Sequence, residues 1–223
     1  MQNFATTAPI AVILTIPAGH IRFIAADRAD TTVEVLPANA TKSSDVKAAE
    51  QTTVEYADGV LRIEAAEPKN RVLGNSGSVD VTVHLPAGSR VEAKTAAAEL
   101  HSVGRLGDVT IESAQGTVKL DETASARLTL QAGDIAIGRL GGAAELSTQK
   151  GNIRIAEALH GEVTLRTESG DLEVGAGHGV SATLDAGTTY GRITNTLQNS
   201  EGSGAALNIR ATTAHGDITA RSL

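Results

Sequence analysis

Ala132-Gly133-Asp134-Ile135-Ala136-Ile137, Lys150-Gly151-Asn152-Ile153-Arg154-Ile155 and Ser169-Gly170-Asp171-Leu172-Glu173-Val174 are three copies of one phrase. Weaker copies begin at Gly116, Gly191 and Gly216, and Ala98 fills the same slot. The markers 98, 116, 133, 151, 170, 191 and 216 are separated by 18, 17, 18, 19, 21 and 25 residues. A period of that size is the signature of stacked coils, each too thin to bury its own apolar face alone. The two long final gaps read as loop insertions.

A true coil keeps the same inward positions in every copy. Two residues after the marker stand Leu100, Val118, Ile135, Ile153, Leu172, Ile193 and Ile218, all large and aliphatic. Seven before it come Val91, Val109, Ala126, Ala144, Val163, Leu184 and Ile209, and five before it Ala93, Ile111, Leu128, Leu146, Leu165, Ala186 and Ala211. Four after it the column weakens at its ends, to Ser102 and Asn195. The period of two within each copy marks strands. Each coil therefore holds one strand before the glycine and one after it, joined by a corner. Three before the marker, Thr95, Ser113, Thr148, Thr167, Thr188 and Thr213 form a hydroxyl column broken only by Leu130, suited to satisfying corner backbone groups. Among outward positions, Arg127 precedes Glu145 and Arg154 precedes Glu173 by about one coil, so opposite charges meet across the stack. The fold expected is an all-β, elongated β-solenoid with coils of 17–19 residues.

Residues 1–87 follow the pattern less regularly and read as a β-rich cap continuous with a regular solenoid over 88–223, one domain overall. Gly19 serves as a marker, with Val12, Leu14, Ile16, Ile21 and Phe23 in the inward columns. Gly59 reads the same way, between Val54 and Tyr56 on one side and Leu61 and Ile63 on the other. Extra strands are expected at Thr32–Leu36 and Ser78–Leu85, and a loop or short helix over the polar stretch Ala38–Gln51.

Composition agrees. Aromatics are 2% of the 223 residues, namely Phe4, Phe23, Tyr56 and Tyr190, so the core is built from Val, Ile, Leu and Ala. The net charge of −7, with no Lys/Arg block, argues against nucleic acid as a partner. The absence of Cys excludes disulfides and thiolate chemistry. The apolar run Ile10–Ile16 is too short to span a bilayer and alternates like a strand, so membrane insertion is not expected and the chain reads as cytoplasmic.

The phrase Val79-Asp80-Val81-Thr82-Val83-His84-Leu85-Pro86-Ala87-Gly88, the Gly-Asp-Ile units and the closing His215-Gly216-Asp217-Ile218-Thr219 resemble the bacterial, actinobacterial-type β-strand-repeat "putative adhesin" family of unknown function. That resemblance implies a right-handed parallel β-helix and carries no catalytic residue across.

Candidate sites are sparse. His160 and His178, each followed by glycine, lie one coil apart and form a weak metal candidate, because a catalytic zinc needs a third ligand. The column Asp134, Asn152, Asp171, Arg192, Asp217 offers carboxylates, but Asn152 and Arg192 interrupt it, leaving no adjacent Asp pair, and an Asp just past a turn glycine commonly bonds backbone. Tyr190, beside Gly191, is the single aromatic suited to a sugar platform, weighed against a corner packing role. No cofactor fingerprint is present. The reading preferred is a non-enzymatic scaffold or protein-binding, self-assembling solenoid that pairs with a protein partner or a second copy through its ends. The competing class is a polysaccharide-binding or polysaccharide-active protein. The C-terminal coil, ending at Arg221-Ser222-Leu223, is expected to be the open end.

Overall fold

The structure, a computed structural model, describes residues 1–66 and 77–223. They fall into two compact units, Met1–Gln115 and Gly116–Leu223.

In the first unit the elements are β1 (Gln2–Ala5), β2 (Ala11–Ala26), β3 (Asp30–Pro37), α1 (Ser43–Gln51), β4 (Thr53–Ala57), β5 (Val60–Glu64), β6 (Val79–Pro86), β7 (Arg90–Val103) and β8 (Arg105–Gln115). The strands expected over Thr32–Leu36 and Ser78–Leu85 are β3 and β6, and the polar stretch between them carries α1. Its buried Asp45 accepts the Ser78 N–H at 3.2 Å and pairs with Lys42 at 3.3 Å, tying the helix to the approach to β6. Long β2 runs through a corner and lies parallel to β5, β6 and β7, while β7 lies parallel to β8. The pairs β1–β3, β3–β6 and β4–β5 are antiparallel, so the sheet is mixed. Gly19 is a corner glycine as read, with φ +140° and Phe23 fully buried. Gly59 is not. Tyr56 faces Leu61 and Ala57 faces Val60 across a two-residue turn, in which Asp58 and Gly59 both have positive φ (51° and 77°). That is a type I′ hairpin, which an Asp-Gly dipeptide favours.

The second unit contains β9 (Val118–Ala132), β10 (Ile135–Leu140), β11 (Ala144–Lys150), β12 (Ile153–Ala158), β13 (Gly161–Ser169), β14 (Leu172–Ala176), β15 (Ala182–Tyr190), β16 (Ile193–Thr196), β17 (Leu207–His215) and β18 (Ile218–Ser222). The ladders between these coils are parallel. The strands after the glycines stack as β9, β10, β12, β14, β18, β16. Those before the glycines stack as β9, β11, β13, β17, β15. Alternation decides which face turns in: Val118, Ile135, Ile153, Leu172 and Ile218 form one column, each at most 1% exposed. Leu128, Leu146, Leu165 and Ala211 form another. Removing each large aliphatic side chain from water contributes about 1.5–3 kcal/mol.

The coil order corrects the sequence reading. The last coil in the chain, β17–β18, lies between β13–β14 and β15–β16, so the open end of the stack is β15–β16 and not the C-terminal coil. The segment taken as an insertion is the connection that carries the chain back over its own preceding coil.

The corner glycines follow the same order. A Cβ on Gly133, Gly151, Gly170, Gly216 or Gly191 would stand 1.9–2.1 Å from the carbonyl oxygen of the neighbouring glycine, in the sequence 116, 133, 151, 170, 216, 191. From Gly116 to Gly170 and at Gly216, φ runs from +130° to +153°, a region that side chains resist. Thr148, Thr167, Thr213 and Thr188 donate to the carbonyls of Gly133, Gly151, Gly170 and Gly216 at 3.1–3.4 Å, so the hydroxyl column does fill corner acceptors.

Gly151→Ala is expected to destabilise by at least about 1–3 kcal/mol, since it combines backbone strain with a backbone clash. Gly187→Ala, at a position with open space around it, is expected to stay within about 0.5 kcal/mol. Urea denaturation of the two variants beside the parent chain measures the contrast, and equal losses would refute the corner packing.

Candidate functional site

The polar residues of the second unit are mostly engaged with one another. Asp134 Oδ1 accepts the Asn152 N–H at 2.7 Å, Asn152 Oδ1 accepts that of Asp171 at 2.8 Å, and Asp171 Oδ1 accepts that of Asp217 at 2.8 Å. Asp217 Oδ1 then accepts the Arg192 N–H at 2.8 Å. The column is thus a side-chain-to-backbone ladder along the corner. Because of the coil order, Asp171 and Asp217 are neighbours, contrary to the expectation that Arg192 separates them. Their Oδ1 atoms nevertheless bond backbone and do not converge as an acid/base pair. The Arg192 backbone N–H, helped by its guanidinium at 3.3 Å, holds the Asp217 carboxyl below the usual carboxylate range.

Outward ion pairs occupy the flat faces. Arg127–Glu145 at 3.2 Å and Arg154–Glu173 at 3.1 Å join coils as the sequence pattern indicates, and Arg221 adds to Glu173 at 3.2 Å. Arg210 on β17 sits between Glu162 on β13 (3.4 Å) and Asp185 on β15 (3.6 Å). The open depression of about 390 Å³ at this place is lined by the triad itself. Another, of about 340 Å³ in the first unit, contains the His20–Asp80 pair at 2.8 Å beside Glu99 and His101. Among the described residues, no buried side-chain nitrogen or oxygen lacks a hydrogen-bond partner.

His160 and His178 are both exposed outside the strands. Among the described residues no group of three or more His, Asp or Glu is placed to hold a metal ion. Tyr190 is 67% exposed, and its ring stacks on that of His215, with centroids 5.0 Å apart and planes 17° from parallel. One face of the ring is therefore covered by the adjacent coil.

What the sequence reading misplaced is the open edge. β15 pairs as a strand with β17 and β16 with β18, each on one side alone. Every residue of β16 is exposed, Ile193 to 46%. Over 182–196 there is neither Lys nor Pro, the residues with which exposed edges are usually blunted. Asp185 is matched by Arg210 and Arg192 by Asp217, so the edge has no unmatched charge. In the first unit, one-sided β1 and β4 are only four and five residues long, and Phe4 and Tyr56 meet across them at 5.3 Å. On nine-residue β15 such closure, among the described residues, is confined to the first residue, where the Ala182 N–H donates to the Gln198 carbonyl at 3.0 Å. A sequence signal for its place existed: Asn195 stands in an inward column, which a polar amide tolerates at an exposed end.

A family model described as Toastrack DUF4097 matches residues 10–221. Among solved structures, a "putative adhesin" from Bacteroides fragilis superposes with a TM-score of 0.60 at 15% identity, over 98% of this chain and 95% of that one. A "putative adhesin" from Parabacteroides distasonis matches with a TM-score of 0.45 at 15% identity, over 100% and 95% of the two chains. A "putative lipid binding protein" from the same species matches with a TM-score of 0.43 at 11% identity, over 98% and 95%. At 15% identity the likeness to the Bacteroides fragilis structure is one of fold. No curated protein matches the chain. No helix among the described residues is long and apolar enough to cross a membrane.

Two outcomes are expected from these contacts. Arg210→Ala is expected to cost less than about 1 kcal/mol at low salt, and less still at high salt, because all three groups of the triad are exposed. Urea midpoints at two ionic strengths measure it. The folded-state depression of the Asp217 pKa means that its stabilisation is complete above the unfolded carboxylate value, about 3.9, and is lost as pH falls through the lower folded value. Asp217→Asn keeps an Oδ1 acceptor, as Asn152 does in its own coil, and removes the titration. Its urea midpoint is expected to fall less steeply with acid than that of the parent chain, and parallel slopes would refute the assignment.

Proposed function

The chain belongs to the Toastrack family (DUF4097), and from that premise we propose that it is a non-enzymatic, protein-binding scaffold that self-associates by strand addition at the open edge β15–β16. The observation that carries this reading is the one-sided pairing of β15 and β16. A strand paired on one side offers a row of backbone donors and acceptors to an incoming strand. A second copy is the occupant favoured, because the matched charges of the edge leave no like-charge repulsion between two such ends. A non-enzymatic role is supported by the engagement of the corner carboxylates and hydroxyls with backbone groups. Active sites more often hold poised or unsatisfied polar groups. We infer further that the coils wind right-handed, as nearly all parallel β crossovers do.

Light scattering after size exclusion, across a concentration series, tests the reading. The mass is expected to grow with concentration for the parent chain, and Thr194→Lys, which places a charge on the exposed edge in the outward phase, opposite Thr219 and away from the buried columns, is expected to suppress the growth. A strict monomer at every concentration, or growth indifferent to the added charge, overturns it.

A further inference from the structure

The last strands of the chain lie inside the stack, and this has a consequence independent of the open edge. β17 is bonded to β13 on one side and β15 on the other, and β18 to β14 and β16. Apart from the Gln198 N–H, which donates to Ser222 Oγ, and Asn208 Nδ2, which donates to the Ala205 carbonyl, the polar contacts that position the pair reach into residues 161–196. Thr213 donates to the Gly170 carbonyl, the Asp217 N–H reaches Asp171, Arg210 spans Glu162 and Asp185, and Arg221 reaches Glu173. Any copy of the chain presents that slot identically. The preference for a chain's own slot rests on the connection from Thr196 to Leu207, which spans about 35 Å when extended. Its residues 198–202 are exposed. During synthesis, β15–β16 is complete before the strands that must enter beneath it exist.

We propose that β17–β18 exchanges between copies, so that Leu207–Ser222 of one chain fills the slot between β13–β14 and β15–β16 of another. Exchange of an identical element adds no foreign contact and forfeits only the effective concentration supplied by the connection. It requires four ladders to open, so exchanged dimers form on refolding at high concentration and persist on dilution.

The absence of cysteine permits a direct test. Arg166 and Thr212 are exposed register partners on β13 and β17. Single variants Arg166→Cys and Thr212→Cys are mixed in denaturant, refolded together at high and at low protein concentration, oxidised, and separated without reductant. Exchange places the two thiols side by side on different chains, so the mixed disulfide dimer is expected well above the statistical two-to-one excess over either homodimer, at high concentration only. The pair Gly187→Cys and Thr212→Cys, register partners across β15 and β17, is expected to behave alike. The double variant Arg166→Cys/Thr212→Cys, refolded dilute, closes within the monomer and establishes that the geometry permits the bond. Statistical mixtures or monomers from both mixed pairs overturn the proposal. Adding Thr194→Lys, in the outward phase of β16, leaves the mixed disulfide intact if exchange is its source and abolishes it if edge pairing is.

Discussion

Backbone meets backbone at the corner of each coil in the second unit, and the other features take their position from that contact. The Cα of each marker glycine lies over the carbonyl oxygen of the glycine beside it, at a separation that leaves no room for a Cβ. At Gly116, Gly133, Gly151, Gly170 and Gly216 the chain turns with φ well into the positive region. The same carbonyls receive the threonine hydroxyls, so the corner is both tight and polar-satisfied. With the glycines in line, residues at fixed offsets from them are in line too, and the aliphatic columns follow. A slip of one residue would turn Arg154 or Glu173 inward and Ile153 or Leu172 outward, which the buried face does not allow.

The corner leaves one choice undetermined. Glycine, threonine and aliphatic positions are equivalent in the coils β15–β16 and β17–β18, and either could sit on β13–β14. Two differences separate them. In chain order Thr164 would face Asp185, leaving Glu162 two residues away along the same face as a diagonal like charge, where the structure instead brings in Arg210 within reach of both carboxylates. Exposed pairs of that kind are worth at most about 1 kcal/mol each. Chain order would also bury Asn195 between Val174 and Ala220, and an unpaired buried amide costs about 1–3 kcal/mol. In the structure Ala220 takes the buried place, and Asn195 Oδ1 accepts the Leu197 N–H at the exposed end. The polar residue in an aliphatic column therefore outweighs the charges, and the charges act in the same direction.

In the first unit, antiparallel strands and a helix do what repetition does in the second. The Asp58-Gly59 hairpin, the buried Asp45 and the Phe4–Tyr56 contact are local devices, each found once among the described residues. They join elements whose hydrophobic alternation alone would fit several partners.

The sequence by itself determined the strands, the inward columns, the corner glycines and the hydroxyl ladder. Each depends on residues at fixed offsets within one coil, and the repeat displays those offsets several times over. The ion pairs Arg127–Glu145 and Arg154–Glu173 were legible for the same reason, because the coils that hold them stack in chain order. The order of the last two coils, the adjacency of Asp171 to Asp217, the open edge at β15–β16 and the hairpin at Gly59 were decided by the tertiary structure. A glycine at the right interval serves a solenoid corner and a type I′ turn equally well. Which coil lies on which is a comparison of long-range pairings that repeated positions make nearly equal, and a few side chains outside the repeat, Asn195 foremost, tip it.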